Sequence, residues 1–351
     1  MRPDLLQASL FEKILIRPFE DKELGVDNLL VASGYATSAM GFHHLDYFRK
    51  YDKKPQISLI YGMAKRDGVV KSDHQGFLSL ASKFQNSFAC KYLMTGEESH
   101  SKVYIWCRGQ TPVLAFSGSA NYTQTALVNG IRREVLSECS PRQAYAYFKA
   151  LAKDSVNCTS KDALDLIREP FLACRDSMVN PATKMPPVSI RKQKESSPVI
   201  PIDDKDSQFF GFAKVAVSLL DQRTQQVPPR SGLNWGQRPE YNRNPDQAYL
   251  SLSAPVCRTA FFPPREIHFT VLTDDSQIFE CVRAQDNGKG IHTPHDNAEI
   301  GRYFRDRIGV PRGTLVTLNH LLKYGRTTVD FYKIDDENFF MDFSKHTEKD
   351  S

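Results

Sequence analysis

His100, Lys102, Ser119 and Asn121 are side chains able to do chemistry, and they fall within one short stretch of the chain. His100 and Lys102 stand two residues apart at the mouth of a strand-like run, Val103 to Cys107, and the strand period of two turns both side chains the same way. A second run, Val113 to Phe116, follows after the polar turn Arg108-Gly109-Gln110-Thr111-Pro112, so the pair is expected to form a hairpin. The Ser117-Gly118-Ser119-Ala120-Asn121 turn comes directly after it and brings Ser119 and Asn121 back beside the imidazole and the ammonium. A nucleophile, a fixed cation and two hydrogen-bond donors so gathered suit attack on a phosphodiester. That reaction needs a group to attack phosphorus and preorganised positive charge or dipoles around the non-bridging oxygens.

The order H-x-K, hairpin, G-S-x-N resembles the phospholipase D superfamily motif, and most closely its small bacterial nuclease branch. In that branch a glutamate follows the asparagine by a little over ten residues, and Glu134 stands at that place. One departure is Cys107, where the family often has Asp; it faces the apolar side of its strand, at a position that usually supports the fold. The difference is greater from the lipid-cleaving members than from the chemistry itself. The resemblance implies that His100 forms a phosphohistidine, that Lys102, Asn121 and Ser119 hold the phosphate oxygens, and that Glu134 accepts the imidazole Nδ1 proton. It implies no metal and no other cofactor. The chemistry uses two histidines and the chain has one H-x-K, so a homodimer with a single composite site on the two-fold axis is expected.

The elements that must position these groups alternate. Residues 1 to about 28 read as a helical or mixed lead-in, Asn28 to Tyr35 as a buried strand, Met40 to Arg49 as a helix, Gln56 to Tyr61 as a second strand, and Phe77 to Phe84 as a second helix. Glu134 to Leu136 reads as a further strand, and Arg142 to Leu151 and Lys161 to Cys174 as helices. A mixed sheet flanked by helices follows. Gly34-Tyr35 and Gly62-Met63 close the first two strands, either lining the site or making tight turns. His43 and His44, adjacent on a short helix, cannot face one metal site together.

Residues 181 to 205 are rich in proline and charge and read as a linker, with Arg191-Lys192-Gln193-Lys194 as a basic cluster inside it. Beyond it the texture changes to short strand-like runs: Val215 to Leu220, Ala248 to Leu252, Ile267 to Leu272, Ile278 to Arg283, Leu315 to Leu318, Thr327 to Tyr332 and Phe339 to Phe343. One amphipathic helix, Asn297 to Ile308, interrupts them. Many short strands with one or two helices imply a barrel-like β domain. Two segments carry side chains suited to nucleic acid. Pro228 to Asn244 is dense in Arg, Asn and Gln, whose bidentate geometry matches guanine and adenine edges in the major groove; its alternative reading is a structural loop anchored by Trp235. His320 to Arg326 offers Lys, Tyr and Arg for phosphate and base contacts.

The runs S-G-L-N-W-G-Q-R, I-G-R-Y-F-R-D-R-I-G-V and L-L-K-Y-G-R-T-T-V-D-F-Y-K-I-D resemble the C-terminal B3-like DNA-binding domain of the NgoFVII family of type II restriction endonucleases. With the first half, the resemblance spans nearly the whole chain. It implies a multidomain α/β plus β protein: a phospholipase-D-like nuclease domain over 1–180, the linker, and a B3-like pseudobarrel over 206–351. It also implies double-stranded DNA as substrate, gripped by two arms to which Arg230, Asn234, Trp235, Gln237, Arg238, Asn242 and Arg243, and Lys323, Tyr324 and Arg326, are assigned. A cognate DNA methyltransferase and, in some such systems, an ATP-driven translocase are implied partners. No G-x-x-x-x-G-K-[ST] occurs, so any ATP dependence belongs to another protein.

The composition sets limits. With 351 residues, 40% hydrophobic and 25% charged, the chain can bury two cores. A net charge of +5 is compatible with a polyanionic partner. Seven cysteines without a C-x-x-C pair read as reduced thiols of a cytoplasmic protein, not as a zinc site. No apolar run approaches the roughly 20 residues of a spanning helix, which counts against a phosphatidyl-transfer enzyme. A non-specific nuclease would leave the second domain idle, and a DNA-binding scaffold would have no use for the motif.

Overall fold

The computed structural model describes residues 9–51, 54–128, 133–168 and 213–345. The expected linker over 181–205, its basic cluster and the later part of the helix expected to end at Cys174 lie outside the described residues. The chain falls into two compact units. The first runs to Arg168 and adds Arg265–Val282 and Asp335–Phe339; the second holds the remainder.

In the first unit, runs of Leu, Ile, Val and aromatic residues form β1 (Asn28–Ser33), β2 (Gln56–Tyr61), β3 (Val69–Val70), β4 (Phe88–Leu93), β5 (Lys102–Arg108), β6 (Thr111–Gly118), β7 (Leu136–Glu138), β8 (Ser155–Asn157) and β9 (Ile167–Arg168). Seven of these make one sheet in the order β7-β6-β5-β1-β2-β4-β8. β1, β2 and β4 are parallel, while β5 runs antiparallel to β1 and to β6. This is the mixed sheet expected. Helices α1 (Ser38–Tyr47) and α2 (Lys71–Lys83) cover one face and α3 (Pro141–Lys153) the other.

Both faces are therefore buried, and β5 reads as a continuous apolar run with no alternation. Trp106 points to the α1 side, where its Nε1 donates to Ile14 O at 2.8 Å and anchors the N-terminal helical turn. Cys107 packs on the opposite side among Ile105, Ala115 and Phe148.

Some expectations need correction. The strand expected from Glu134 begins at Leu136, and the Val135 N–H before it is taken by the Ser119 hydroxyl. Lys161–Leu166 is a 3-10 helix running into β9. β4 was not expected at all: Lys91 and the exposed Ala89 interrupt its apolar run, although its parallel pairing with β2 buries the rest.

The remaining strands are β10 (Lys214–Ser218), β11 (Leu250–Ser251), β12 (His268–Thr273), β13 (Ile278–Ala284), β14 (Gly290–His292), β15 (Thr328–Lys333) and β16 (Asn338–Asp342), in the sheet order β10-β15-β16-β12-β13-β14-β11. The edge strands β10 and β11 approach each other, so the sheet is a nearly closed pseudobarrel. Helices α4 (Glu299–Ile308) and α5 (Leu318–Tyr324) accompany it. The strand expected at Leu315–Leu318 is instead the entry to α5. Thr317 caps that helix, and His320 Nδ1 accepts the Thr317 N–H at 3.1 Å, closing a capping box.

Arg305 of α4 organises the second unit from inside. Its side chain is wholly buried, donates to Thr314 O, Gly301 O, Leu233 O and Pro245 O at 3.0 to 3.3 Å, and pairs with Asp246 at 3.2 Å. One guanidinium thus ties its own helix, at Gly301, to the segments of Leu233, Pro245-Asp246 and Thr314, and its replacement leaves Asp246 buried without its charge partner. Arg305→Met should cost about 3 to 5 kcal/mol of stability, read as a lower urea midpoint.

In the first unit, buried Asp73 at the start of α2 accepts Ser38 N–H (2.7 Å) and Asn338 Nδ2 (3.1 Å). Burial, then the nearby Asp335, pushes its carboxyl up to about 8; burial likewise pushes Glu337 up to about 7. Both acids are more readily ionised in the unfolded chain. Their contribution is therefore full below the ordinary carboxylate range and is lost as pH rises through 7 to 8. Melting temperature should fall between pH 5.5 and 8.5, and the fall should be smaller in Asp73→Asn.

Candidate active site and nucleic-acid surface

The end of β1 is the seat of the candidate active site. Ser33 pairs with Lys102 across the antiparallel β1 and β5, and Gly34 N–H donates to Ser101 O at 2.8 Å, which carries the register up to His100. β6 then returns beside β5, with Val103 opposite Ser117, and delivers the G-S-x-N turn to the same edge. The sequence-expected convergence of His100, Lys102, Ser119 and Asn121 is thus built from three adjacent strands.

His100 is exposed and Lys102 lies behind it, only 6% exposed. The Lys102 Nζ is 3.0 Å from His100 Nδ1, 3.2 Å from Nε2 and 2.6 Å from the His100 carbonyl oxygen. Burial holds the ammonium below its ordinary range, and the Glu134 carboxylate opposes that shift. A cation in this position is shielded from bulk water yet adjacent to the exposed imidazole.

Asn121 is oriented by the backbone. Its Oδ1 accepts Tyr35 N–H at 3.2 Å, with Ser33 Oγ 3.3 Å away; Ser33 Oγ itself accepts Tyr122 N–H (3.0 Å) and donates to Tyr35 O (2.5 Å). With the oxygen so engaged, the amide Nδ2 is the end left to meet a ligand. Ser119 is bonded within the chain. Its hydroxyl donates to Glu134 Oε2 in a short hydrogen bond and accepts Val135 N–H at 3.0 Å, which ties the turn to the segment leading into β7. Its one O–H is given to Glu134 and one lone pair to Val135, so Ser119 braces the turn and Glu134 Oε2 is engaged within the chain. His44 is buried against the Tyr122 hydroxyl at 2.9 Å and pushed down to about 3 by burial, whereas His43 turns toward the His268 ring; the two diverge.

The residues assigned to DNA divide in two. Asn234 is wholly buried: its Nδ2 donates to Pro228 O (3.0 Å) and Val316 O (2.8 Å), and its Oδ1 accepts Val316 N–H (2.8 Å). Gln237 Nε2 donates to Pro245 O and Gly313 O, both at 3.0 Å. Tyr324 hydroxyl donates to Phe343 O at 2.6 Å, and Arg326 is buried between Asp330 and Asp342. Asn234, Tyr324 and Arg326 are buried and Gln237 half-buried, and the groups named are engaged within the chain. Arg230, exposed, pairs with Glu240, and Arg238 Nε reaches Arg230 O at 2.9 Å. Lys323 and Asn242 are exposed, the latter in the left-handed region at φ 50°. The Arg243 guanidinium lies 4.1 Å from the Trp235 ring and 5.7 Å from that of Tyr241, itself 63% exposed. Trp235 is thus the anchor of a structural loop and also the platform for an arginine held on two rings.

Residues 9–164 match the family model of the NgoFVII restriction endonuclease N-terminal PLD domain, and residues 209–335 that of the NgoFVII C-terminal B3-like DNA-binding domain. The chain belongs to the NgoFVII restriction endonuclease family. No curated protein matches it at a significant level. Among the described residues no helix is long and apolar enough to cross a membrane.

An NgoFVII-family chain therefore carries a nuclease domain and a DNA-binding domain, and its nuclease half holds functional positions that sequence reasoning left undecided. Gly34 is one. A Cβ there would stand 2.9 Å from His100 Cδ2 and 3.2 Å from His100 Cα, so the glycine is required by close approach to the candidate nucleophile. Tyr35, beside it, and Tyr241, on the other half, carried no motif; a Gly-aromatic pair at a strand end and an aromatic in a basic loop were the only signals. Gly34→Ala should keep the fold and displace the imidazole, lowering the single-turnover rate of DNA cleavage on the order of 10²-fold.

Proposed function

We propose that this chain is a site-specific endodeoxyribonuclease that hydrolyses double-stranded DNA through a covalent phosphohistidine, without a metal ion, in a composite site made by two copies. The observation that carries this reading is the exposed His100 imidazole backed by a buried ammonium, with an asparagine amide held by its oxygen at the same sheet edge, in a member of a restriction endonuclease family.

His100 Nε2 attacks phosphorus, and the P–N bond forms as the bond to one deoxyribose oxygen breaks. That oxygen takes its proton from the His100 of a second copy. The second imidazole, now neutral, removes a proton from water, whose oxygen attacks phosphorus and releases the first imidazole. Two inversions give net retention. Lys102 and the Asn121 amide stabilise the charge on the non-bridging oxygens, the task that a metal performs in other nucleases. Glu134 accepts the imidazole Nδ1 proton in the assembled site through its second oxygen, Ser119 occupying the first. One H-x-K per chain supports the homodimer.

On the DNA-binding half, Arg243 with Trp235 and Tyr241, together with Arg230, Arg238, Asn242 and Lys323, are the side chains best placed for DNA. Asn234, Gln237, Tyr324 and Arg326 shape the surface that presents them. The protein acts in the cytoplasm, where a separate methyltransferase protects host sites and any ATP-driven translocase is a separate subunit.

Incubation with a long sequenced DNA in excess EDTA tests the reading. Discrete fragments are expected from the wild type and none from His100→Ala, which should still retard DNA in a gel. A smear would retain the nuclease and remove the specificity; equal cleavage by His100→Ala would overturn the assignment of the nucleophile.

A further inference from the structure

We propose that Tyr35, clamped by Asp67, is a positioning residue that sets the direction of both His100 and Asn121; the inference rests on the nuclease reading of that site. An imidazole nucleophile must present one nitrogen in line with phosphorus, and His100 is exposed, so its ring has to be oriented by neighbours. Lys102 contacts it on one side. The Tyr35 ring contacts it as well, with centroids 5.6 Å apart and planes at 78°. Gly34 permits this approach by bringing the β1 backbone against His100.

Tyr35 is itself immobilised. Its hydroxyl donates to Asp67 Oδ2 at 2.5 Å, and its ring meets Tyr61 edge-on at 6.2 Å. Burial, with the bond to Asp67, raises the phenol above its ordinary range, which keeps the hydroxyl protonated as a donor. Asp67 is in turn 3.7 Å from Arg66. The main chain of the same residue acts on the other group: the Tyr35 N–H bonded to Asn121 Oδ1 holds that end of the amide and leaves Nδ2 as the other. Side chain and backbone of one residue thus fix two directions, and Tyr35 need not touch the phosphate to do so.

The test uses the full chain with ¹⁵N-labelled histidine, the His100 signal being identified by its absence in His100→Ala, together with single-turnover DNA cleavage. In Tyr35→Ala the His100 imidazole signal should move or split while those of the other histidines stay, and kcat should fall on the order of 10²-fold with KM within about twofold. Tyr35→Phe and Asp67→Ala should share a smaller loss, and their combination should be no worse than either alone. Asp67→Asn, which keeps an acceptor for the phenol, should restore both readouts. An unmoved His100 signal with unchanged kcat in Tyr35→Ala would overturn the proposal, as would displacement of all the histidine signals together. If no variant and no wild type cleaves DNA, the nuclease reading fails, while the imidazole spectrum still decides whether Tyr35 orients His100.

Discussion

The hydrogen bond from the Tyr35 peptide N–H to Asn121 Oδ1 is the constraint on which the rest of the nuclease half depends. It joins the end of a parallel strand to a turn at the end of an antiparallel hairpin, two features 86 residues apart in the chain. Ser33 reinforces the knot by receiving the Tyr122 N–H, and the Ala36 to Tyr122 bridge continues it. On the far side, the buried Glu337 carboxylate receives the Thr37 hydroxyl, the Thr125 N–H and the Gln124 amide. The two segments that carry Tyr35 and Asn121 are therefore held by backbone N–H groups and side-chain donors that converge on three side-chain acceptors, Asn121, Ser33 and Glu337.

Much of this was legible in the chain. The hairpin, the first two strands, the covering helices and the convergence of His100, Lys102 and Asn121 follow from period-two and period-3.6 patterning and from the turn residues between them. Other features were not. β4 needed a partner strand to bury its apolar side, and Leu315 to Leu318 had strand-forming residues but also Thr317 and His320, whose capping decided for a helix. Residue type singled out the basic loop but could not separate Asn234 and Gln237, whose amides close the loop, from Arg243, whose guanidinium lies on the Trp235 ring. An amide able to read a base edge is equally able to satisfy a carbonyl, and only the geometry decides between them.

The two units solve the same problem in different ways. In the nuclease half, precision comes from strand register, which fixes Lys102 opposite Ser33 and places His100 two residues beyond. In the other half the loops are long and irregular, and their shape comes from a buried cation. Gly301 makes this possible, because a Cβ there would collide with the backbone oxygen of Asp246, whose carboxylate pairs with Arg305.

Arg305 holds its loops from beneath, through backbone oxygens and one aspartate, and makes no demand on the identity of the side chains above. The exposed residues Tyr241 and Asn242 are not among its partners. Such a surface can drift through many side-chain combinations while its scaffold stays intact, and the loop is in this sense a cartridge: its contents can be exchanged by evolution, or by an engineer, without rebuilding the barrel that carries it.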